Sequence, residues 1–155
     1  MRTDDPLAHT ELTILLGLAF QVVLQEFVSR TAAAGYPDLR PVHGMVFQAL
    51  KTNGSTSTEL AEQLGVTKQA AGQIVDDLES RGYVRRQPHP EGGRRRLVVL
   101  TDTAREHLAV AGEVLHRLEA QLAGGDADLA VLRVELARLV RELAGDAVPP
   151  LRPVW

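Results

Sequence analysis

Leu64-Gly65-Val66-Thr67 lies between two amphipathic stretches and leaves room for a single turn. Upstream, Thr56-Ser57-Thr58-Glu59 reads as a capping box, in which the Thr56 hydroxyl accepts the Glu59 N–H while the Glu59 carboxylate reaches back. Leu60, Ala61 and Leu64 then follow at helical spacing. Gly65 lacks the Cβ that penalises a left-handed backbone, so it predicts the end of this helix. Downstream, Thr67 caps a second helix from Lys68. Ala71, Ile74, Val75 and Leu78 form its buried stripe, and Gly82 closes it. Two helices joined by so tight a glycine-containing turn predict a helix-turn-helix, whose second member commonly enters the major groove of duplex DNA.

A hairpin follows. Tyr83 and Val84 open a strand ending near Gln87, residues 88–93 (Pro-His-Pro-Glu-Gly-Gly) make a turn-rich tip, and Leu97-Val98-Val99-Leu100 returns. Between Arg81 and Thr101 stand six arginines (Arg81, Arg85, Arg86, Arg94, Arg95, Arg96) against one acid, Glu91. This wing therefore carries +5 in a chain of net charge −3, which leaves −8 for the rest. Bulk charge argues against a nucleic-acid partner, whereas local charge argues for one. A basic protrusion on an acidic body attracts and orients a polyanion. Arg86, Arg94, Arg95 and Arg96 are thus candidate DNA contacts, the alternative being a solvated loop.

Opposite the apolar stripe of the second helix lie Lys68, Gln69, Gly72, Gln73 and Asp76. Glutamine can pair two-pronged with adenine, and lysine can reach guanine or a phosphate. Gly72 costs roughly 1 kcal/mol relative to alanine inside a helix, which suggests close approach of DNA or of a neighbouring helix. A merely solvated face is the alternative.

Taken together, Glu59-Leu60-Ala61, Leu64-Gly65-Val66, Val75-Asp76-Asp77-Leu78-Glu79, Arg81-Gly82-Tyr83-Val84 and Gly92-Gly93-Arg94 through Leu97-Val98-Val99-Leu100-Thr101 resemble the MarR (multiple antibiotic resistance regulator) family of bacterial transcription factors. The resemblance implies that residues 68–73 lie in the major groove and that Arg94 enters the minor groove. The chain departs from the family pattern at Gly92, where an acid is common, and at Gln73, where the family often has a basic residue. The resemblance also implies dimerisation through the terminal helices and a small, often aromatic, effector bound between those helices and the reading head. Phe20, Arg40, His43 and Phe47 are candidates to line such a pocket, with core packing as the alternative.

The expected architecture is mainly α with a small β-hairpin wing: a winged helix-turn-helix over 41–101, flanked by dimerisation helices over 11–34 and 102–144 and followed by a Pro-rich tail, 145–155. All of it forms a single domain, 1–155. In the first helix, apolar residues cover nearly the whole circumference. Leu12, Leu15, Leu16, Ala19, Phe20, Val23, Phe27 and Val28 are joined by Ile14, Leu18, Val22 and Leu24, and a helix apolar all round must be covered all round. Gly17, Gln21, Gln25 and Glu26 interrupt this run, so a membrane span is not expected. Thr101 caps a later helix with a heptad-like seam at Ala104, Leu108, Ala111, Leu115, Leu118 and Leu122. After Gly124-Gly125 a helix restarts at Asp126, with Leu129, Leu132, Leu136, Leu139 and Leu143 at the same spacing. These seams could pair with each other as an antiparallel helix pair, or with the first helix build a homodimer interface. The tail is expected to be disordered or laid over the partner subunit.

Catalysis finds little support. The five histidines lack metal-ligand spacing, and Gly92-Gly93-Arg94 lacks the lysine and helix of a phosphate-binding loop. With no cysteine, disulfides and thiol-based sensing are excluded. Residues 1–5 do not read as a signal-peptide start, so a cytoplasmic location is expected. No cofactor and no metal is expected. The expected function is that of a dimeric, sequence-specific regulator on a pseudo-palindromic operator in double-stranded DNA, a repressor released by a small aromatic effector. The alternative is a winged-helix module that binds protein partners.

Overall fold

In the computed structural model, which describes residues 5–125 and 128–152, a short 3-10 turn at Pro6–His9 precedes the first long helix. The element order is α1 (Leu12–Ala33), α2 (Pro41–Leu50), α3 (Ser57–Leu64), α4 (Lys68–Ser80), β1 (Val84–Pro88), β2 (Arg96–Leu100), α5 (Asp102–Ala123) and α6 (Leu129–Ala144). This is the winged helix-turn-helix expected from the sequence, with long helices on either side of it in the chain. Asp126, the expected restart of the last helix, lies outside the described residues, as do residues 153–155 of the tail. Asp128 caps α6 instead, its carboxylate accepting the Ala130 and Val131 N–H groups at 3.1 Å.

The helix ends follow their capping chemistry. Thr56 and Glu59 exchange both bonds of the box, Glu59 N to Thr56 Oγ1 at 3.2 Å and Thr56 N to Glu59 Oε2 at 2.8 Å. At Gly65 the backbone is left-handed, with φ 67°, and the N–H groups of Gly65 and Val66 return to the carbonyls of Glu62 and Ala61. Gly82 repeats this arrangement, the Gly82 and Tyr83 N–H groups bonding to Glu79 and Leu78. Each loop thereby satisfies carbonyls that a helix terminus leaves open.

β1 and β2 pair antiparallel from Val84 opposite Leu100 to Pro88 opposite Arg96. Ser55 adds a bridge to the hairpin's outer edge, donating to Val98 O at 3.1 Å and accepting from Val98 N at 2.8 Å. The approach demands a glycine at 54, where φ is +73° and a Cβ would lie 2.5 Å from the Val98 carbonyl oxygen. One core closes the head. Val46, Phe47, Leu50, Leu60, Leu64, Val75, Leu78, Val84, Val98 and Leu100 are buried together, and Ala104 brings in the start of α5.

Outside the head, packing departs from the expected seams. The buried stripe of α5 is Ala104, His107, Ala111, Val114 and Leu118, while Leu115 and Leu122 are exposed. Positions 104, 111 and 118 belong to both stripes; contact with α1 and the head selects the set that includes 107 and 114. α6 buries none of its residues, and Leu132 is 50% and Leu143 80% exposed. The antiparallel pairing of two leucine seams is therefore not what α5 and α6 do within one chain. An apolar stripe specifies that a helix needs a partner, not which partner. In α1 only Thr31 is buried.

Candidate nucleic-acid interface

The stripe of Ala71, Val75 and Leu78, with Ile74 half-buried, sets α4 into the head and turns its other side outward. Lys68, Gln69 and Gln73 are exposed, and among the described residues none makes a side-chain hydrogen bond or ion pair. A Cβ added at Gly72 would meet nothing within 4 Å. Among the described residues no neighbouring helix crowds Gly72, which leaves its outer side open.

The wing's arginines do different things. Arg94 sits beyond Gly92 and Gly93, both at positive φ, and is exposed with no partner among the described residues. Arg95 pairs with Glu91 at 3.0 Å. Arg96 donates to the Arg86 carbonyl at 3.1 Å. Arg86 is held by two carboxylates of α4, bonding Asp76 at 2.6 Å and lying close to Glu79. Burial opposes its charge, but hydrogen bonds and Coulomb attraction from Asp76 and Glu79 outweigh that, and its pKa is raised above the ordinary arginine value. Arg81 bonds Asp77 at 3.0 Å and the Asp38 carbonyl at 2.9 Å. The +5 counted along the hairpin is thus offset by Asp76, Asp77 and Glu79, which the fold places against it. Arg86, expected to face DNA, faces α4.

Gly65 meets a cation that the sequence did not predict. The tail returns to its own head, so that a Cβ at 65 would lie 2.8 Å from Arg152 Cδ. The Arg152 side chain therefore lies against the turn of the same chain's helix-turn-helix. Composition pointed only to an irregular tail, and no local pattern places Arg152 there.

The four proposed pocket residues fall into two settings. His43 and Phe47 are fully buried on α2, whereas Arg40 is exposed and Phe20, on α1, is 41% exposed. His43 Nδ1 accepts the Arg40 backbone N–H at 3.1 Å, and Nε2 lies 3.4 Å from both the Arg40 guanidinium and Asp77 Oδ2. Its pKa is lowered, chiefly by burial and then by Arg40, with Asp77 opposing and Arg81 adding a little. Phe47 packs against Tyr83 and His107 at ring-centroid distances of 5.6 and 5.4 Å, and Tyr36 meets His107 at 4.5 Å. His107, absent from the expected set, is buried with Nδ1 unpartnered, and burial lowers its pKa. Its sequence signal was its place in the α5 stripe, one residue before Leu108. Among the described residues no cluster of three potential metal ligands occurs.

Comparison with known proteins agrees with this geometry. Residues 38–95, from the loop before α2 to the wing tip, match the family model described as MarR family. Solved structures similar to this chain include the transcriptional repressor CouR bound to a 23-mer DNA duplex, at 28% identity and TM-score 0.70, covering 86% of this chain and 92% of that one. The transcriptional regulator PA3341 is 25% identical with TM-score 0.65, covering 86% and 98%. The transcriptional regulator BldR from Sulfolobus solfataricus is 24% identical with TM-score 0.65, covering 84% and 93%. A comparison with curated proteins finds no significant match. From the loop before α2 to the wing tip the sequence matches the MarR family, and the winged fold with its long terminal helices is similar to that of solved transcriptional regulators, the DNA-bound CouR among them.

Proposed function

We propose that the protein is a cytoplasmic, homodimeric repressor that binds a pseudo-palindromic operator in double-stranded DNA. The observation that carries this is the unengaged N-terminal face of α4, with Lys68, Gln69 and Gln73 exposed beside an uncrowded Gly72. CouR, similar over most of this chain, is a repressor and its structure holds a DNA duplex. Gln69 and Gln73 read bases, Lys68 contacts a phosphate or guanine, and Arg94 enters the flanking minor groove. Two copies joined through α1, α5 and α6 place half-sites about one helical turn apart, roughly 10 bp. The apolar faces of α1 and α6 support a second copy: Ile14, Val22, Val131 and Val134 are all more than half exposed in one chain.

Repression is relieved, in this reading, by a small aromatic effector that engages Phe20, Arg40, His43 and Phe47. Displacing His43 from Asp77 would register directly on α4, since Asp77 belongs to that helix. A salt titration on a duplex selected from random DNA tests the core of the proposal. Log affinity should fall steeply with log salt, and Arg94→Ala should lower that slope by about 0.9 per wing. Gln69→Ala or Gln73→Ala should cost about 1–3 kcal/mol on the selected site and little on random duplex. Affinity independent of salt would sink the DNA reading in favour of a protein-binding module.

A further inference from the structure

We propose that Asp76, Glu79 and Arg86 form a brace that sets the distance between recognition helix and wing and offsets one of two carboxylate charges on the helix, making Arg86 a positioning residue. The inference rests on the DNA-binding reading above. Asp76 follows Gln69 and Gln73 along α4 at helical spacing, so it continues the face that carries them, one turn further on. Its side chain is 70% exposed. A bare carboxylate there repels the phosphate backbone that the glutamines must approach.

Arg86 makes three hydrogen bonds to the two carboxylates, one of them to Asp76. Glu79 accepts the Arg86 backbone N–H at 2.9 Å with one oxygen and its guanidinium with the other. Asp76 accepts the guanidinium's second nitrogen at 2.6 Å. Arg96 then bonds the Arg86 carbonyl at 3.1 Å, which extends the fixation from β1 to β2 and so to the strand that leaves the tip bearing Arg94. Charge-assisted bonds of a planar guanidinium to two acceptors are directional as well as strong. The wing is thereby held at one setting relative to α4. A reader that must place glutamines in the major groove and Arg94 in a minor groove at once needs that setting, because either contact made alone discriminates poorly. For Arg86 to reach a phosphate it would have to abandon both acids and leave them facing DNA.

The test compares wild type, Arg86→Met, the double change Asp76→Asn with Glu79→Gln, and the triple change, on operator and random duplexes across a salt series, with a thermal melt of each. In the double variant Arg86 is released to the phosphates. Random-duplex affinity should rise about 3- to 10-fold and the salt slope should steepen by about 0.9 per subunit, while the operator-to-random ratio falls about 10-fold. Arg86→Met should weaken binding to both duplexes with the slope unchanged. The triple variant should return random-duplex affinity to near wild type without restoring the ratio, which a loss of stability alone would not produce. If Arg86→Met fails to fold, the double variant still decides. A slope lowered by Arg86→Met, with the operator-to-random ratio intact in the double variant, overturns the brace and makes Arg86 a phosphate contact. Wild-type affinity flat in salt overturns the DNA reading and takes the brace's part in it with it.

Discussion

The reading head and the terminal helices spend similar apolar content in opposite ways. Within residues 41–101 the large side chains Phe47, Leu50, Leu60, Leu78 and Val98 are sealed in a core shared by three helices and a hairpin. In α1 and α6, Leu12, Ile14, Val22, Val131, Leu132 and Leu143 remain at least half exposed. By length and composition α1 could even cross a membrane, with a mean hydropathy of 1.7. It packs against α5, and Arg30 donates to Gln121 of that helix at 2.8 Å. The contrast teaches that one part of this chain completes its core alone, while the other leaves apolar surface open, which a second copy covers in the proposed dimer.

The largest effect should come from opening the head's own core. Phe47→Ala removes a fully buried ring and should cost about 3–5 kcal/mol, independent of protein concentration, in a urea melt. A concentration-dependent loss would instead tie the head to the interface and dissolve the contrast. Next comes Leu132→Asp, which places a charge in the exposed seam of α6. The dimer dissociation constant should rise about 100-fold, equivalent to roughly 2.7 kcal/mol, with the circular dichroism of the head unchanged. Equal sedimentation of mutant and wild type would show that α6 has no part in dimerisation.

Gly72→Ala sharpens the contrast from within the head. Nothing in the chain crowds that position, so alanine should stabilise the fold by about 1 kcal/mol through helix propensity. Operator binding should weaken all the same, because a methyl would stand where DNA approaches in the proposed complex. Unchanged affinity would return Gly72 to the status of a tolerated glycine. The smallest effect is a pH dependence confined to the junction between the two regions. His43 and His107 both have pKa values lowered from 6.5, chiefly by burial. They are held neutral when folded, while the unfolded chain protonates them. Their contribution to stability is therefore complete above about pH 6.5 and is lost as pH falls from there toward the lowered folded values. The melting temperature should drop by a few degrees at most between pH 7.5 and 5.5, and His107→Phe should flatten that drop.

Much of the head was legible because its signals are local. Thr56, Thr67 and Thr101 cap helices through bonds that span three residues, Gly65 and Gly82 end helices through their own backbone, and the α4 stripe is a matter of spacing. The candidate site was half legible. Lys68, Gln69, Gln73 and Arg94 could be placed on an outer face from periodicity and turn chemistry. Arg86 could not, since its partners sit seven and ten residues away on another element. The hairpin's charge count failed for the same reason, looking along the strand and not across to α4.

Sequence alone determined where helices start and stop, that a basic hairpin follows a helix-turn-helix, and that α1 and α6 carry more apolar surface than one small head can cover. These follow from interactions within one or two turns, where residue spacing is geometry. Only the tertiary structure decided which arginines are free, which of two overlapping stripes of α5 is buried, why Gly54 must pass beneath Val98, and that Arg152 returns to Gly65. Each depends on how distant segments are brought side by side, and that placement is settled by the packing of a shared core, not by any spacing written along the chain.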